Sequence, residues 1–170
     1  MKNIVLIGMP GTGKSEVGRA LAQRLDFTFL DVDDVIMDAA GKKLSEILRG
    51  EGLEAFLALE ERVGLELNVE RTVIATGGSM VLSAAAMDHL KEDAITVWLE
   101  TPISQIAERM PEDLWDRGIA ADHDKDIREI YEERKPYYNK YADLIVASRE
   151  GEDSTAHQVE EVMRIVGMQI

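Results

Sequence analysis

The sequence contains no cysteine. That absence excludes disulfides and thiolate metal sites, and it suits a reducing compartment. Histidine is scarce too: His89, His123 and His157 stand far apart, without metal-ligand spacing, so surface or helix-end positions are expected for them. Basic residues number 19 against 33 acidic ones, giving a net charge of -14. A surface of that sign repels polyanions and argues against a nucleic-acid partner. No apolar run is long enough to span a bilayer, and the apolar block at residues 3–8 is too short for a signal peptide. The expectation is a cytoplasmic protein with no membrane partner. Repeats, low-complexity tracts and linkers rich in proline, glycine or serine are missing as well. Residues 1–170 are therefore expected to form one domain, a monomer, large enough to bury a core.

What is present is a regular alternation. Short apolar blocks at residues 3–8, 27–31, 72–76, 94–99 and 143–147 are rich in β-branched or aromatic side chains. Between them lie segments of helical period, at 14–25, 34–40, 44–50, 53–69, 83–89, 103–110, 125–138 and 154–166. Nearly continuous apolar strands alternating with helices predict an α/β fold whose parallel sheet is covered on both faces. The stretch at 110–125 is polar, holds Pro111 and Gly118 and follows no clean period, so it reads as a mobile lid.

The first strand runs into Gly8-Met9-Pro10-Gly11-Thr12-Gly13-Lys14-Ser15 and then into a helix, the context that a phosphate-binding loop requires. Glycines let the backbone at Gly11, Thr12 and Gly13 turn its N–H groups inward, and the helix directs its positive end at the phosphates. Lys14 is placed to reach the β- and γ-phosphates of ATP, and the Ser15 hydroxyl to ligate Mg²⁺. Glu16 adds a negative charge beside the α-phosphate, which should weaken nucleotide binding unless it caps the helix instead.

Two further elements end strands at the same sheet edge, where ligands gather in open α/β sheets. In Leu30-Asp31-Val32-Asp33-Asp34, strand alternation would turn Asp31 and Asp33 to one side. One carboxylate could then hold Mg²⁺ while the other binds and deprotonates an acceptor hydroxyl, with Asp34 capping the next helix. In Thr76-Gly77-Gly78-Ser79, two glycines allow close backbone approach to a ligand.

With the phosphate loop, Val17-Gly18-Arg19-x-Leu21-Ala22, Asp31-x-Asp33, Gly50-Glu51-Gly52, Phe56-x-x-x-Glu60, Thr76-Gly77-Gly78 and Arg134-x-Pro136-x-Tyr138 in order, the chain resembles the shikimate kinase family. These are small kinases that move the ATP γ-phosphate to a ring hydroxyl of shikimate. The resemblance implies a three-layer P-loop kinase fold with a five-stranded parallel sheet and a lid. It implies Asp31 as the aspartate that helps hold Mg²⁺ and Asp33 as the base that binds the acceptor hydroxyls. By the same resemblance, Arg134 grips the substrate carboxylate, Arg117 neutralises charge from the lid, Arg109 packs on adenine, and Arg149 lies near the adenine loop.

Three departures concern the acceptor. The family arginine that shares carboxylate binding with Arg134 is replaced by Leu57. Its loss removes a charge-assisted contact worth roughly 1.5–3 kcal/mol and leaves Glu60 without the partner it has in the family. Ser79 stands where the family has a third glycine, and the lid carries Glu112, Asp113 and Trp115. An acceptor with an amine, or with no charge, would suit Glu60 and Leu57 better than a carboxylate. Two rival readings are a nucleotide or nucleoside kinase, which needs a second base pocket and a more arginine-rich lid, and a nucleotide-binding regulatory protein without transfer activity.

Overall fold

The computed structural model describes residues 2–148 and 154–167. Five strands, β1 (Asn3–Ile7), β2 (Thr28–Asp31), β3 (Thr72–Ala75), β4 (Ala94–Glu100) and β5 (Leu144–Ala147), form one sheet in the order β2-β3-β1-β4-β5. Every pairing is parallel. Side chains alternate across this sheet and sort the core into two layers. Val5, Ile7, Ile74 and Trp98 face one side, covered by α2 (Val32–Ala40), α3 (Leu44–Glu51), α4 (Leu53–Glu66), α5 (Ala84–Lys91) and α7 (Ile127–Tyr141) through Ile36, Ile47, Phe56, Met87 and Ile130. Ile4, Leu6, Val73 and Val97 face the other, under α1 (Lys14–Leu25) and α8 (Ser154–Val166) through Val17, Leu21, Val159 and Val162. The central strand β1 is buried along its whole length, which is why its sequence is apolar from Ile4 to Ile7. The expected helices–sheet–helices architecture is thus observed, with α6 (Ile103–Glu108) preceding residues 110–125.

The boundaries that differ from expectation have local causes. The β2 strand stops at Asp31, whose side chain accepts a hydrogen bond from the Asp33 backbone N–H at 3.0 Å and starts α2 at Val32. Asp31, rather than Asp34, is the cap, and Asp33 lies in a helix. Strand alternation therefore does not relate the two aspartates. Helix α7 starts at Ile127 instead of 125 because Asp126 caps it, accepting from Glu129 N–H at 2.9 Å. It passes through Pro136 and continues to Tyr141. Helix α4 ends at Glu66, three residues before the expected 69, and the Leu67 carbonyl lies 2.7 Å from His89 Nε2.

Residues 110–125 are not featureless. A short 3₁₀ turn at Leu114–Arg117 is capped by Asp113, and Trp115 donates its indole N–H to the Ala121 carbonyl at 2.8 Å while stacking on His123 at 4.3 Å. Arg49 of α3 reaches both Asp113 and Asp116 at 2.6 Å, joining this segment to the rest of the fold.

Candidate active site

A cavity of about 650 Å³ opens at the carboxyl edge of the sheet. The phosphate loop forms its floor: Gly13 takes a left-handed φ of 82° and hands the chain to α1. Lys14 is buried and folds back over the loop, its ammonium donating to the Gly8 and Met9 carbonyls, each at 2.8 Å. Burial pushes its pKa down to about 8, against the opposing pull of the Asp33 and Asp31 charges. Ser15 donates to Asp31 at 2.7 Å, and the other oxygen of Asp31 holds the Asp33 backbone. The aspartates and the loop therefore meet as expected, although through a helix cap rather than a shared strand face.

Asp33 points into the same cavity. Burial, then the Asp31 charge, pushes its carboxyl up to about 6, with Lys14 pulling the other way. On the far side of Asp33, Gly77 and Gly78 bring the backbone close. A Cβ at Gly77 would stand 2.9 Å from Asp33 Oδ1 and 3.1 Å from Glu60 Oε2, and one at Gly78 would stand 3.0 Å from Arg134 Nη1. These positions admit only glycine without displacing Asp33, Glu60 or Arg134. Arg134 is buried and donates to the Ala120 carbonyl, while Tyr138 donates to the Gly78 carbonyl at 2.8 Å.

Glu60 does not lack a partner. Ser79 Oγ lies 2.7 Å from Oε1 and 2.9 Å from Oε2 of its carboxyl, and both residues are buried. Burial pushes Glu60 up to about 7; the Ser79 hydrogen bond and Arg134 lower it, and the Asp33 charge raises it. Leu57, in contrast, is not among the residues that line the cavity and packs its half-buried side chain against the core. Phe56 and Glu60, four residues apart on α4, share the cavity-facing side, and Leu57 lies off it. The expectation that Leu57 lines the acceptor pocket is corrected accordingly.

Arg117 and Arg109 both reach the loop mouth. Arg109 donates to the Gly11 carbonyl, and Arg117 donates to the Arg109 carbonyl at 2.9 Å, both lining the cavity. Glu16 also lines it but makes no capping bond; Thr155 of α8 donates to its carboxylate at 3.4 Å. The Arg149 expectation lies outside the described residues. Sequence reasoning missed Thr101, Ser148, Ser154 and Gln158, which also line the cavity. The positions of Thr101 and Ser148, each just after a strand, were the signal that could have pointed to them.

A phosphate loop at the carboxyl edge of a parallel sheet, with the half-buried Asp33 carboxylate beyond it, defines a P-loop phosphotransferase. The family model described as shikimate kinase matches residues 10–165. Curated shikimate kinases are similar over most of their length. That of Persephonella marina is 37% identical over 149 residues, covering 87% of this chain and 90% of its own. That of Caldanaerobacter subterraneus subsp. tengcongensis is 36% identical over 168 residues, covering 96% and 95%. A solved shikimate kinase from Acinetobacter baumannii, in complex with shikimate, superposes with a TM-score of 0.87 at 27% identity, over 99% of this chain and 94% of that one. The chain belongs to the shikimate kinase family, and its activity is that of an ATP-dependent kinase with an alcohol acceptor.

Proposed function

We propose that the chain transfers the γ-phosphate of ATP to a hydroxyl of a small polyhydroxylated acceptor of the shikimate type, with Asp33 as the base. The observation that carries this reading is the position of Asp33, a half-buried carboxylate between the phosphate loop and the Gly77-Gly78 turn. Its raised pKa suits a group that must accept a proton near neutral pH. Lys14 and Arg117 supply positive charge to the transferring phosphoryl group, and Arg134 is the buried cation for an acceptor carboxylate. Gly11, Thr12 and Gly13 offer backbone donors, and Arg109 covers the nucleotide end.

The residues present also fit Mg²⁺. Ser15 and Asp31 bring hard oxygen donors to within 2.7 Å of each other beside the phosphate loop. Among the described residues no group of three or more acidic, histidine or cysteine side chains could hold a metal alone. That matches an ion which takes only one or two protein oxygens and completes its shell with phosphates and water. Ser15 and Asp31 would hold the ion beside the phosphate loop, where it would supply charge neutralisation to the β- and γ-phosphates.

The acceptor side has Arg134 as its cation facing two carboxyls, Asp33 and Glu60. Acceptors that offer hydroxyls, or an amine, toward Glu60 fit this arrangement, and a carboxylate fits only toward Arg134. The test is a coupled assay with MgATP against shikimate and a panel of polyols and amino alcohols. Turnover with shikimate at a micromolar KM supports shikimate itself despite Leu57, and turnover with a different member of the panel assigns that acceptor. ATP consumption that no alcohol stimulates contradicts the proposal.

A further inference from the structure

Ser79 Oγ stands 2.7 Å from one carboxyl oxygen of Glu60 and 2.9 Å from the other. A hydroxyl so placed sits in front of the carboxyl, on the side where the two prongs of a guanidinium would dock. The two partners differ in what they can hold. Arginine only donates, so it fixes a carboxyl in its ionised form; a serine hydroxyl donates to a carboxylate and accepts from a carboxylic acid. Glu60 is 2% exposed, and among the described residues no ion pair includes it. Its charge is thus held by one neutral hydroxyl in a buried place, and a proton can replace that charge without orphaning a cation.

The surroundings of Glu60 favour the proton. From α2, Asp33 approaches the same point: a Cβ at Gly77 would stand 2.9 Å from Asp33 Oδ1 and 3.1 Å from Glu60 Oε2. From α7, Arg134 pulls the other way, with its guanidinium also donating to the Ala120 carbonyl. Tyr138, on the same helix, stays neutral, its pKa pushed up to about 12 by burial. The 3₁₀ turn at Met80–Leu82 carries no ionisable side chain. The ionisable residues of α3 and α5, packed beside α4, are Glu46, Arg49, Glu51, Asp88, His89 and Lys91, and none of them lines the cavity. Lys14, Arg109 and Arg117 line it with Asp33 and Glu60. Burial dominates the balance and pushes Glu60 up to about 7. An acceptor carboxylate drawn to Arg134 adds another negative charge to this pocket, which moves Glu60 further toward its neutral form.

We infer that Glu60 and Ser79 are a specificity-determining pair that admits an anionic acceptor by protonation: as the acceptor carboxylate takes Arg134, Glu60 takes one proton from solvent and Ser79 accepts from the new carboxyl O–H. The inference rests on the reading of this cavity as an acceptor site in which Arg134 binds a carboxylate. Affinity for such an acceptor is then level below pH 7, where Glu60 already carries the proton. Above it, affinity falls by up to about tenfold per pH unit, the slope of one linked proton. A neutral polyol makes no such demand on Glu60 and keeps its affinity over the same range. The pair therefore sorts acceptors by charge, and pH sets how sharply.

The experiment is a calorimetric titration of the full chain with shikimate. Two buffers of different ionisation enthalpy at pH 7.5 read the protons taken up per acceptor bound, and a series from pH 6 to 9 reads affinity. The expected result is uptake of most of one proton in the parent. Glu60→Gln should lose that uptake and bind equally at pH 7 and 9. In Ser79→Ala the level region should extend to higher pH, because the hydroxyl holds the Glu60 pKa down. Binding by the parent without proton uptake overturns the inference. So does uptake that persists in Glu60→Gln, where Asp33 and Lys14 are still free to titrate. Should Glu60→Gln fail to fold, a Ser79→Ala affinity profile identical to that of the parent also overturns it. A parent that binds no shikimate at any pH removes the acceptor reading and the inference with it, a different failure from binding without a proton.

Discussion

Ser79 and Glu60 form a closed pair: the serine hydroxyl lies within 2.9 Å of both oxygens of a carboxyl that the fold buries almost completely. Read from sequence, Ser79 and the unpartnered Glu60 were two separate departures from the family pattern. In the structure they are one feature, because the hydroxyl occupies the carboxyl that would otherwise be left without a neutralising cation on α4. Ser79→Ala should destabilise the protein by about 1–3 kcal/mol, the cost of a buried polar group left unsatisfied. The loss depends on pH. The folded-state pKa of Glu60 is raised, to about 7, so protonation favours folding. The stability it contributes is complete below the unfolded value near 4.5 and is lost as pH rises through 7. Removing the hydroxyl raises that pKa further. Thermal melts should therefore show a larger difference between Ser79→Ala and parent at pH 8 than at pH 5, and an equal difference at both would contradict the pairing.

Asp33 and Lys14 set the expected pH profile of the reaction. Asp33 must be ionised to accept a proton, and its pKa is raised to about 6; Lys14 must be charged to hold phosphate, and its pKa is lowered to about 8. The kcat/KM profile should rise through pH 6 and fall above 8, giving a bell with its maximum near neutrality. In Asp33→Asn the rate should drop by roughly 10²–10⁴-fold while ATP affinity is retained. A variant that keeps most of its rate would remove Asp33 from the role of base.

Much of the fold was legible in the sequence because buried parallel strands write themselves as apolar runs, as β1 does from Ile4 to Ile7. The phosphate loop was legible because glycine, lysine and serine are needed there at fixed spacing. The relation between Asp31 and Asp33 was not, since whether a short acidic stretch continues a strand or caps a helix depends on one side-chain hydrogen bond. The place of Leu57 was misread for a related reason: it is one residue from Phe56, yet one step along a helix turns a side chain by about 100°. Gln158 lies more than 140 positions from the phosphate loop, and no local pattern links an amide on α8 to the strand ends it adjoins.

Glu16 lies on the cavity wall, where Thr155 donates a long hydrogen bond to its carboxylate. Its charge repels the nucleotide phosphates through solvent, so Glu16→Gln should tighten MgATP by roughly two- to fivefold, with the gain shrinking at high salt. Calorimetry at low and high ionic strength checks both parts.

Arg49 ties α3 to Asp113 and Asp116, within residues 110–125. Because Trp115 stacks on His123 in that segment, its emission reports on the segment's position. In a Trp98→Phe background, Trp115 fluorescence should change when nucleotide and acceptor bind together, and Arg49→Ala should alter the ligand-free signal. No change on saturation with both ligands would count against closure of residues 110–125 over the site.

The most direct test of phosphoryl transfer is ³¹P NMR of the protein incubated with MgATP and shikimate, run beside Asp33→Asn. The account predicts a new phosphomonoester signal growing as the γ-phosphate signal declines, present with the parent and absent with the variant. Free inorganic phosphate as the sole product, with shikimate and with every polyol tried, would contradict it.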